Sequence, residues 1–442
     1  MNKKETKISK EIRINKKSAR RNYSNQTGIT LIALVVTIVV LLILAGVSLN
    51  AIFSENGIIK RAQDAQNKMD QATQNDLDSI NELTNWLDNQ VNGTTGGGTT
   101  GGDANPSTTP KISTLVGKVV DKNTKAEDAY GNKITIPKGF KVLAHGTEAG
   151  SATYTYSGDN IPAVQDGIVI ENGEDKNQFV WVPVGTIKNK NNTTNTITLG
   201  RYEFDSSTGA LKSNTPVQVA SVENCTQEVT INTNYKELSV FRAGNSATDS
   251  TAQNATARNL SEFISTTLAN RGYYIARFEA SETASKVTSK YDQTVLTNIT
   301  QPNAAKAARE MYGEIKENNK LVYASDLVNS YAWDTAIIFI QTYSGKTDYA
   351  SHNESKTTKA FTATGKNNDK YCNIWDMSGN AYEWTTEYYT ISDGSRFWPC
   401  VYRGGCYSTA IGGADRCTSY RGDIYTTYRN SSSGLRPLLY VK

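Results

Sequence analysis

Two carboxylates flank a polar bend in the C-terminal part of the sequence. Asp376 and Glu383 lie on either side of the tripeptide Ser378–Asn380, and Trp375 and Trp384 bracket the same stretch. Glycine and asparagine accept positive φ at low cost, so the tripeptide predicts a tight turn between aromatic anchors. Carboxylates and freed backbone carbonyls are the ligands that Ca²⁺ takes in proteins. The residues therefore predict either a calcium-binding bend or a turn held by side-chain hydrogen bonds without a metal.

Histidine and cysteine content limits the other chemistries. The chain contains 2 histidines, His145 and His352, which argues against a multi-histidine iron, copper or zinc site and against a nucleophile relayed through histidine. The 5 cysteines include no C-x-x-C pair, and their odd number leaves at least one thiol unpaired in a monomer. They are Cys225, Cys372, Cys400, Cys406 and Cys417. Their spacing indicates no disulfide framework.

The N-terminal segment is predicted to anchor the protein in a membrane. Ile29–Leu49 contains no charged residue and is long enough to span a bilayer as a helix. Lys3–Arg21 is rich in Lys and Arg, and this flank predicts a cytoplasmic N-terminus with everything after Leu49 outside. The net charge is +4, and because much of the positive charge lies in this flank, no basic surface remains that would indicate nucleic-acid binding.

The segments that follow the anchor differ in composition. Apolar residues spaced by three and four continue to Val91, which predicts a stalk helix; the alternative is a plain anchored stalk that never polymerises. Asn92–Pro110 is rich in Gly and Thr and predicts a flexible linker. The predicted order is a basic leader at 1–28, a transmembrane and stalk helix at 29–91, the linker at 92–110, a small β-rich lead-in at 111–164, and a C-terminal domain at 165–442.

The C-terminal domain mixes strand and helix patterns. We expect strands at 179–182 and 272–278, the second of them central in a sheet, because both runs are rich in aromatic and β-branched residues. Apolar spacing predicts helices at 260–270, 304–318 and 324–343. The fold class is therefore α+β with much irregular structure, preceded by the long N-terminal helix and the linker.

Four pieces of this domain together resemble a known family. F-V-W-V-P-V-G at 179–185, D-M-S-G-N-A-Y-E-W at 376–384, R-G-G at 403–405 and G-L-R at 434–436 occur in the order and spacing of the formylglycine-generating-enzyme (sulfatase-modifying factor) domain. That domain is a variant of the C-type lectin fold. The resemblance covers roughly 165–442 and implies the same fold here.

The resemblance also implies a structural calcium site at the bend. In the family, Ca²⁺ is bound by the residue at the position of Asp376, by the carbonyls at Gly379 and Ala381, and by the carboxylate at Glu383. This chain has acidic residues at both side-chain positions. Ca²⁺ is the cofactor that the sequence predicts.

The chain departs from the family at the residues that carry its chemistry. Formylglycine-generating enzymes bind copper through two closely spaced cysteines after the R-G-G turn, and the corresponding positions fall near Thr409 and Ala414. The nearest thiols, Cys406 and Cys417, are out of register and too far apart in sequence. A lone thiolate does not supply the soft two-coordinate site that copper requires. We therefore expect a protein that is not an enzyme.

The start of the apolar run resembles the processing site of type IV prepilins. By that resemblance a prepilin peptidase cuts Gly28–Leu34 after Gly28, and the mature chain begins at a methylated Ile29. The family usually has glutamate five residues into the mature chain, where this sequence has Ala33. The missing acid favours an initiating or tip subunit over a major pilin.

The region between R-G-G and G-L-R is rich in Tyr, Ser, Gly, Arg and Asp, which is typical of adaptable binding surfaces. It resembles the variable region of C-type-lectin-fold proteins that are diversified by retroelements. The alternative is an ordinary polar loop region. The predicted ligand contacts are Tyr407, Asp415, Tyr420, Arg421, Asp423, Tyr425, Tyr428, Arg429 and Asn430.

Together these patterns predict a cell-surface, pilin-like anchored binding protein, an adhesin or receptor-binding tip, whose extracellular C-terminal domain binds a protein or glycan. Its other predicted partners are the membrane, pilin-like subunits of a pilus and the prepilin peptidase. No nucleic acid is predicted as a partner. The alternatives are a minor pseudopilin that caps a pilus or secretion filament and, less favoured, a copper-dependent oxidase of the formylglycine-generating type.

Overall fold

The computed structural model describes residues 109–143, 163–214, 216, 229–231, 234–237, 257–318, 320–354, 361–389, 398–408 and 416–442. All of them belong to the compact unit Gly96–Lys442. Several predictions concern residues outside these ranges. They are the leader, the processing site at Gly28 and Ile29, the transmembrane stalk, most of the linker and the predicted ligand contact Asp415.

The described residues form a mixed α+β fold in which strands predominate. The strands, in chain order, are β1 (Thr124–Glu127), β2 (Lys133–Ile136), β3 (Phe140–Val142), β4 (Val169–Asn172), β5 (Gln178–Pro183), β6 (Gly185–Lys188), β7 (Thr194–Ile197), β8 (Val229–Ile231), β9 (Tyr235–Glu237), β10 (Gly272–Ala276), β11 (Ser281–Thr283), β12 (Lys286–Thr288), β13 (Glu314–Glu317), β14 (Lys320–Leu327), β15 (Lys370–Tyr371), β16 (Ile374–Trp375), β17 (Tyr382–Tyr389), β18 (Cys400–Arg403), β19 (Arg421–Ile424), β20 (Ser433–Leu435) and β21 (Pro437–Val441). The helices are α1 (Leu260–Asn270), α2 (Gln301–Tyr312) and α3 (Ser330–Tyr343).

A seven-stranded sheet forms the main core, with strand order β13-β14-β21-β10-β5-β4-β3. The sequence predicted β10 as a central strand, and the structure confirms this position. Every residue of β5, β10 and β21 is buried, as expected for strands covered on both faces. The α1 helix contacts β10 and β21, and α3 contacts β5.

A second sheet has the order β19-β18-β17-β9-β8, and β20 pairs in parallel with β17. Its long strand β17 follows the predicted bend directly, so the bend sets where the sheet begins. The β18 strand pairs with both β17 and β19 in antiparallel register. The α3 helix also contacts β17, which places this helix between the two sheets.

The helices begin and end at recognisable caps. The side chains of Asn259 and Asn329 accept from backbone amides at the start of α1 and α3, and α2 has Pro302 in its first turn. The predicted helix at 260–270 is confirmed. The prediction at 324–343 is wrong over its first residues, because β14 pairs with β13 and β21 there and α3 begins only at Ser330.

None of the helices within the described ranges is both long and apolar enough to cross a membrane.

Candidate functional site

A buried ion-pair network joins α3 to the second sheet. Asp334 of α3 accepts from Arg403 Nη2 at 2.5 Å and from Arg421 Nη2 at 2.6 Å. Glu387 of β17 accepts from Arg421 Nε at 2.8 Å and from Arg403 Nη1 at 3.4 Å, and it also pairs with Arg201. The side chains of Arg201, Asp334, Glu387 and Arg403 are fully buried, and that of Arg421 is 10% exposed. Because every charge has partners of opposite sign, the network links β17, β18 and β19 rigidly.

Arg403 also holds the segment that leads into β19. Its Nε donates to Tyr420 O at 3.1 Å, and its Nη2 donates to Ser419 O at 3.4 Å. Trp333 Nε1 of α3 donates to the neighbouring Thr418 O at 3.1 Å. The backbone at 418–420 is therefore fixed by buried donors, while the side chain of Tyr420 stays partly exposed.

Acid should weaken this network. Burial alone would raise the pKa of Glu387, but the guanidinium groups of Arg421, Arg201 and Arg403 lower this pKa to about 2. A carboxyl with a depressed pKa stabilises the fold above its ordinary value of 4.5 and loses that contribution as pH falls toward 2. Between about pH 5 and pH 2, the urea midpoint of the wild type should therefore fall more steeply than that of Glu387→Gln. Parallel profiles for the two proteins would contradict this expectation.

The polar bend forms as predicted, with Gly379 at φ 104° and Asn380 at φ 54°. Glu279, which lies just after β10, supports it: Ala381 N donates to Glu279 Oε1 at 2.9 Å, and the Asn380 amide donates to Oε2. Tyr407 N donates to Asn380 O at 2.9 Å. The bend therefore holds the backbone at Tyr407, one of the predicted ligand contacts.

Four tyrosines form what we call the aromatic surface: Tyr402, Tyr420, Tyr425 and Tyr428. The rings of Tyr402 and Tyr420 are 6.3 Å apart, and those of Tyr425 and Tyr428 are 5.6 Å apart. Trp384 lies beneath both pairs, 5.5 Å from Tyr402 and 6.4 Å from Tyr428. Tyr425 is 40% exposed, and the other three are partly exposed. Strand β18 and the residues on either side of β19 thus present a set of tyrosine rings.

Two further contacts shape this surface. The guanidinium of Arg416, which is exposed, lies 4.4 Å from the centroid of the Tyr420 ring, a cation–π distance. Gly422 lies against the Tyr402 ring, where a Cβ atom would come within 2.3 Å of a ring carbon. Sequence reasoning missed Tyr402 and Arg416; the signal was the tyrosine directly before the R-G-G motif.

The predicted ligand contacts separate into two groups. Tyr420, Tyr425 and Tyr428 lie in the aromatic surface, and Arg429 is exposed beside it in sequence. Tyr407 is partly exposed, and its ring lies 5.0 Å from the ring of Phe361. Phe361 is exposed and was not among the predicted contacts.

The other predicted contacts that the structure describes, Arg421, Asp423 and Asn430, make ion pairs or hydrogen bonds within the protein. The Arg421 side chain is 10% exposed, and its guanidinium lies in the ion-pair network. Asp423 accepts from Tyr235 Oη at 3.1 Å. Asn430 Oδ1 accepts from Ser432 N at 2.9 Å, which places Asn430 in a turn. The structure thus brings the tyrosines together and turns Arg421 inward.

The four predicted calcium ligands lie close together in sequence but have different partners. Gly379 and Ala381 belong to the bend. Both carboxylate oxygens of Glu383 accept from Arg436, at 2.8 Å and 2.5 Å, and Asp376 Oδ2 accepts from a backbone amide. Within the described ranges, no group of three or more His, Cys, Asp or Glu side chains is arranged to hold a metal ion.

No protein-family model matches the chain, and no curated protein matches it. Solved structures that are similar to parts of it include two of low sequence identity. One, titled "Crystal Structure of CarF", is 16% identical with a TM-score of 0.28 and covers 39% of this chain and 87% of its own. The other, Treponema denticola variable protein 1, is 13% identical with a TM-score of 0.24 and covers 49% of this chain and 99% of its own. At such TM-scores neither structure defines the fold of this chain.

Proposed function

We propose that this chain is a cell-surface, pilin-like anchored binding protein, an adhesin or receptor-binding tip, and that the aromatic surface contacts its protein or glycan ligand. The observation that carries the proposal is the set of partly exposed tyrosine rings over Trp384. Tyrosine supplies a large, rigid, amphipathic contact area at little cost in conformational entropy, which is why binding surfaces are enriched in it.

The support beneath this surface suits a binding role. Arg403 is fully buried and Arg421 largely so, and both hold β18 and β19 through ion pairs, so the exposed side chains can change without loss of these contacts. Tyr425 and Arg429 are exposed, and no scaffold contact described above involves them. A rigid frame with replaceable surface residues is what diversification by a retroelement would require, and we include such diversification in the proposal.

The proposal includes that the C-terminal domain is not catalytic. Burial raises the pKa of the Cys400 and Cys406 thiols, and a thiol that stays protonated is a poor copper ligand and nucleophile. The proposed anchor and its partners, which are the membrane, pilin-like subunits and a prepilin peptidase, rest on the sequence patterns alone. Copper-dependent oxygen consumption by the purified chain would contradict the non-catalytic role.

Replacing part of the aromatic surface should abolish ligand binding. A ligand for the full chain would first be identified on a glycan array and on an immobilised set of cell-surface proteins. The quadruple variant Tyr420→Ala, Tyr425→Ala, Tyr428→Ala, Arg429→Ala should then bind this ligand at least about 100-fold more weakly, since hot-spot residues contribute about 2 kcal/mol or more each.

The matched control replaces four exposed charged residues outside this surface: Lys306, Glu310, Lys316 and Lys320. It should bind like the wild type, and circular dichroism should show that both variants fold. Unchanged binding by the tyrosine variant would refute the assignment. Deletion of 111–442 tests the pseudopilin alternative, because an adhesin predicts intact filaments that no longer bind, whereas a capping subunit predicts lost assembly.

A further inference from the structure

The arginines that follow β17 in the described ranges are of two kinds. Three of them lie in ion pairs and are fully or largely buried: Arg403, Arg421 and Arg436. Arg416 and Arg429 are exposed instead. Among the described residues, neither of these two forms an ion pair with a carboxylate. Two guanidinium groups thus remain at the surface of the described fold.

Arg416 lies on the aromatic surface. Its guanidinium is 4.4 Å from the centroid of the Tyr420 ring. Burial raises the pKa of the Tyr402 and Tyr420 hydroxyls, and the positive charge of Arg416 opposes this rise, so the guanidinium is close to both rings. Arg429 directly follows Tyr428, another member of this surface. A guanidinium held against a ring keeps N–H donors that can bind a carboxylate at two points.

The same part of the chain contains little negative charge. Asp423 is the one acidic residue within 398–408 and 416–442. It is partly buried, and its Oδ1 accepts from Tyr235 Oη at 3.1 Å. Burial raises the pKa of Asp423, so its ionised form is not favoured here. These two ranges therefore expose more positive than negative charge, which favours a negatively charged partner.

The arrangement of the rings favours a protein over a saccharide. The two ring pairs of the aromatic surface cross at 48° and 89°, so they form clefts that receive side chains and do not form one flat face for a sugar ring. The amide oxygen of Asn430, which could otherwise accept from sugar hydroxyls, already accepts from Ser432 N and Ser433 Oγ. Tyrosine and arginine are also the residues that dominate binding energy at protein–protein interfaces.

We propose that the aromatic surface binds an acidic protein segment, whose carboxylates pair with Arg416 and Arg429 while its apolar side chains pack on the tyrosine rings. This inference rests on the proposed function and names the class of ligand. Charge attraction speeds the encounter of the two partners, and the ring contacts then slow their separation. Binding should therefore combine strong salt dependence with dependence on the tyrosines.

A synthetic polypeptide provides a direct test. The full chain, purified in mild detergent, should bind an immobilised random copolymer of glutamate and tyrosine, as measured by surface plasmon resonance. Binding should weaken at least about tenfold when the salt concentration rises from about 0.05 M to about 0.5 M. The double variant Arg416→Gln, Arg429→Gln should bind the copolymer at least about tenfold more weakly than the wild type, mainly through slower association.

Two further variants separate the site from general effects of charge. Lys306→Gln with Lys316→Gln removes the same charge from exposed positions on α2 and β13, and it should bind like the wild type. Arg416→Lys with Arg429→Lys keeps the charge without the two-point geometry of guanidinium, so it should recover part of the binding. Neither a copolymer of lysine and tyrosine nor heparin should bind comparably.

The outcomes separate this inference from the proposed function. Absence of binding to the glutamate–tyrosine copolymer, or equal binding by the double arginine variant, would overturn the inference. Stronger arginine-dependent binding to heparin would also overturn it, in favour of an anionic polysaccharide. A ligand that requires Tyr420, Tyr425 and Tyr428 but binds the double arginine variant like the wild type would leave the proposed function intact and refute the acidic partner.

Discussion

Replacing Arg403 with alanine should lower the free energy of unfolding by about 3–5 kcal/mol, the range for breaking a buried ion pair by removing one partner. Arg403 is fully buried and neutralises both Asp334 and Glu387. Its loss also removes the donors to the backbone at 419–420. Urea denaturation of the full chain, followed by far-ultraviolet circular dichroism, would measure the change.

Arg416 provides the matched control, since it is an exposed arginine in the same part of the chain. Arg416→Ala should change the free energy of unfolding by no more than about 0.5 kcal/mol, as is usual for surface substitutions. A loss below about 1 kcal/mol for Arg403→Ala would show that the network contributes little beyond ordinary surface pairs.

Trp384→Ala should destabilise the protein to a similar extent, by about 3–5 kcal/mol, because it leaves a large cavity in the core. Trp384 is fully buried, and its ring supports Tyr402 and Tyr428 from below. The aromatic surface should therefore lose its arrangement together with stability. Calorimetric melting of the full chain would report the stability change.

The conservative variant Trp384→Phe separates packing from hydrogen bonding. It keeps an aromatic ring but leaves Ile299 O without the indole donor that now lies 2.9 Å away. We expect this variant to lose about 1–3 kcal/mol, the cost of a partly buried acceptor left without its donor together with a smaller ring. Equal losses for the alanine and phenylalanine variants would mean that the hydrogen bond, and not the packed ring, accounts for the effect.

The local features of the chain were readable from its sequence. The S-G-N tripeptide predicted the bend, and the structure confirms positive φ at Gly379 and Asn380. The α1 helix was predicted with its observed bounds, because apolar spacing and an asparagine cap act within a few residues.

The features that sequence reasoning missed depend on strand pairing between segments that are distant in the chain. The stretch at 324–327 carries a pattern that suits a helix, and only its pairing with β13 and β21 makes it a strand. Tyr402 stands directly before R-G-G in the sequence, but its place in the aromatic surface depends on the register between β18 and β19.

By itself, the sequence determined the turn chemistry of the bend, the caps of the helices and the composition of the aromatic surface, since these depend on neighbouring residues. Only the tertiary structure decided which charges are paired. It turned Arg421 inward to Asp334 and Glu387, and it committed Glu383 to Arg436. An isolated carboxylate has the same chemistry in every sequence, and its role is set by the buried donors and charges that distant segments bring to it.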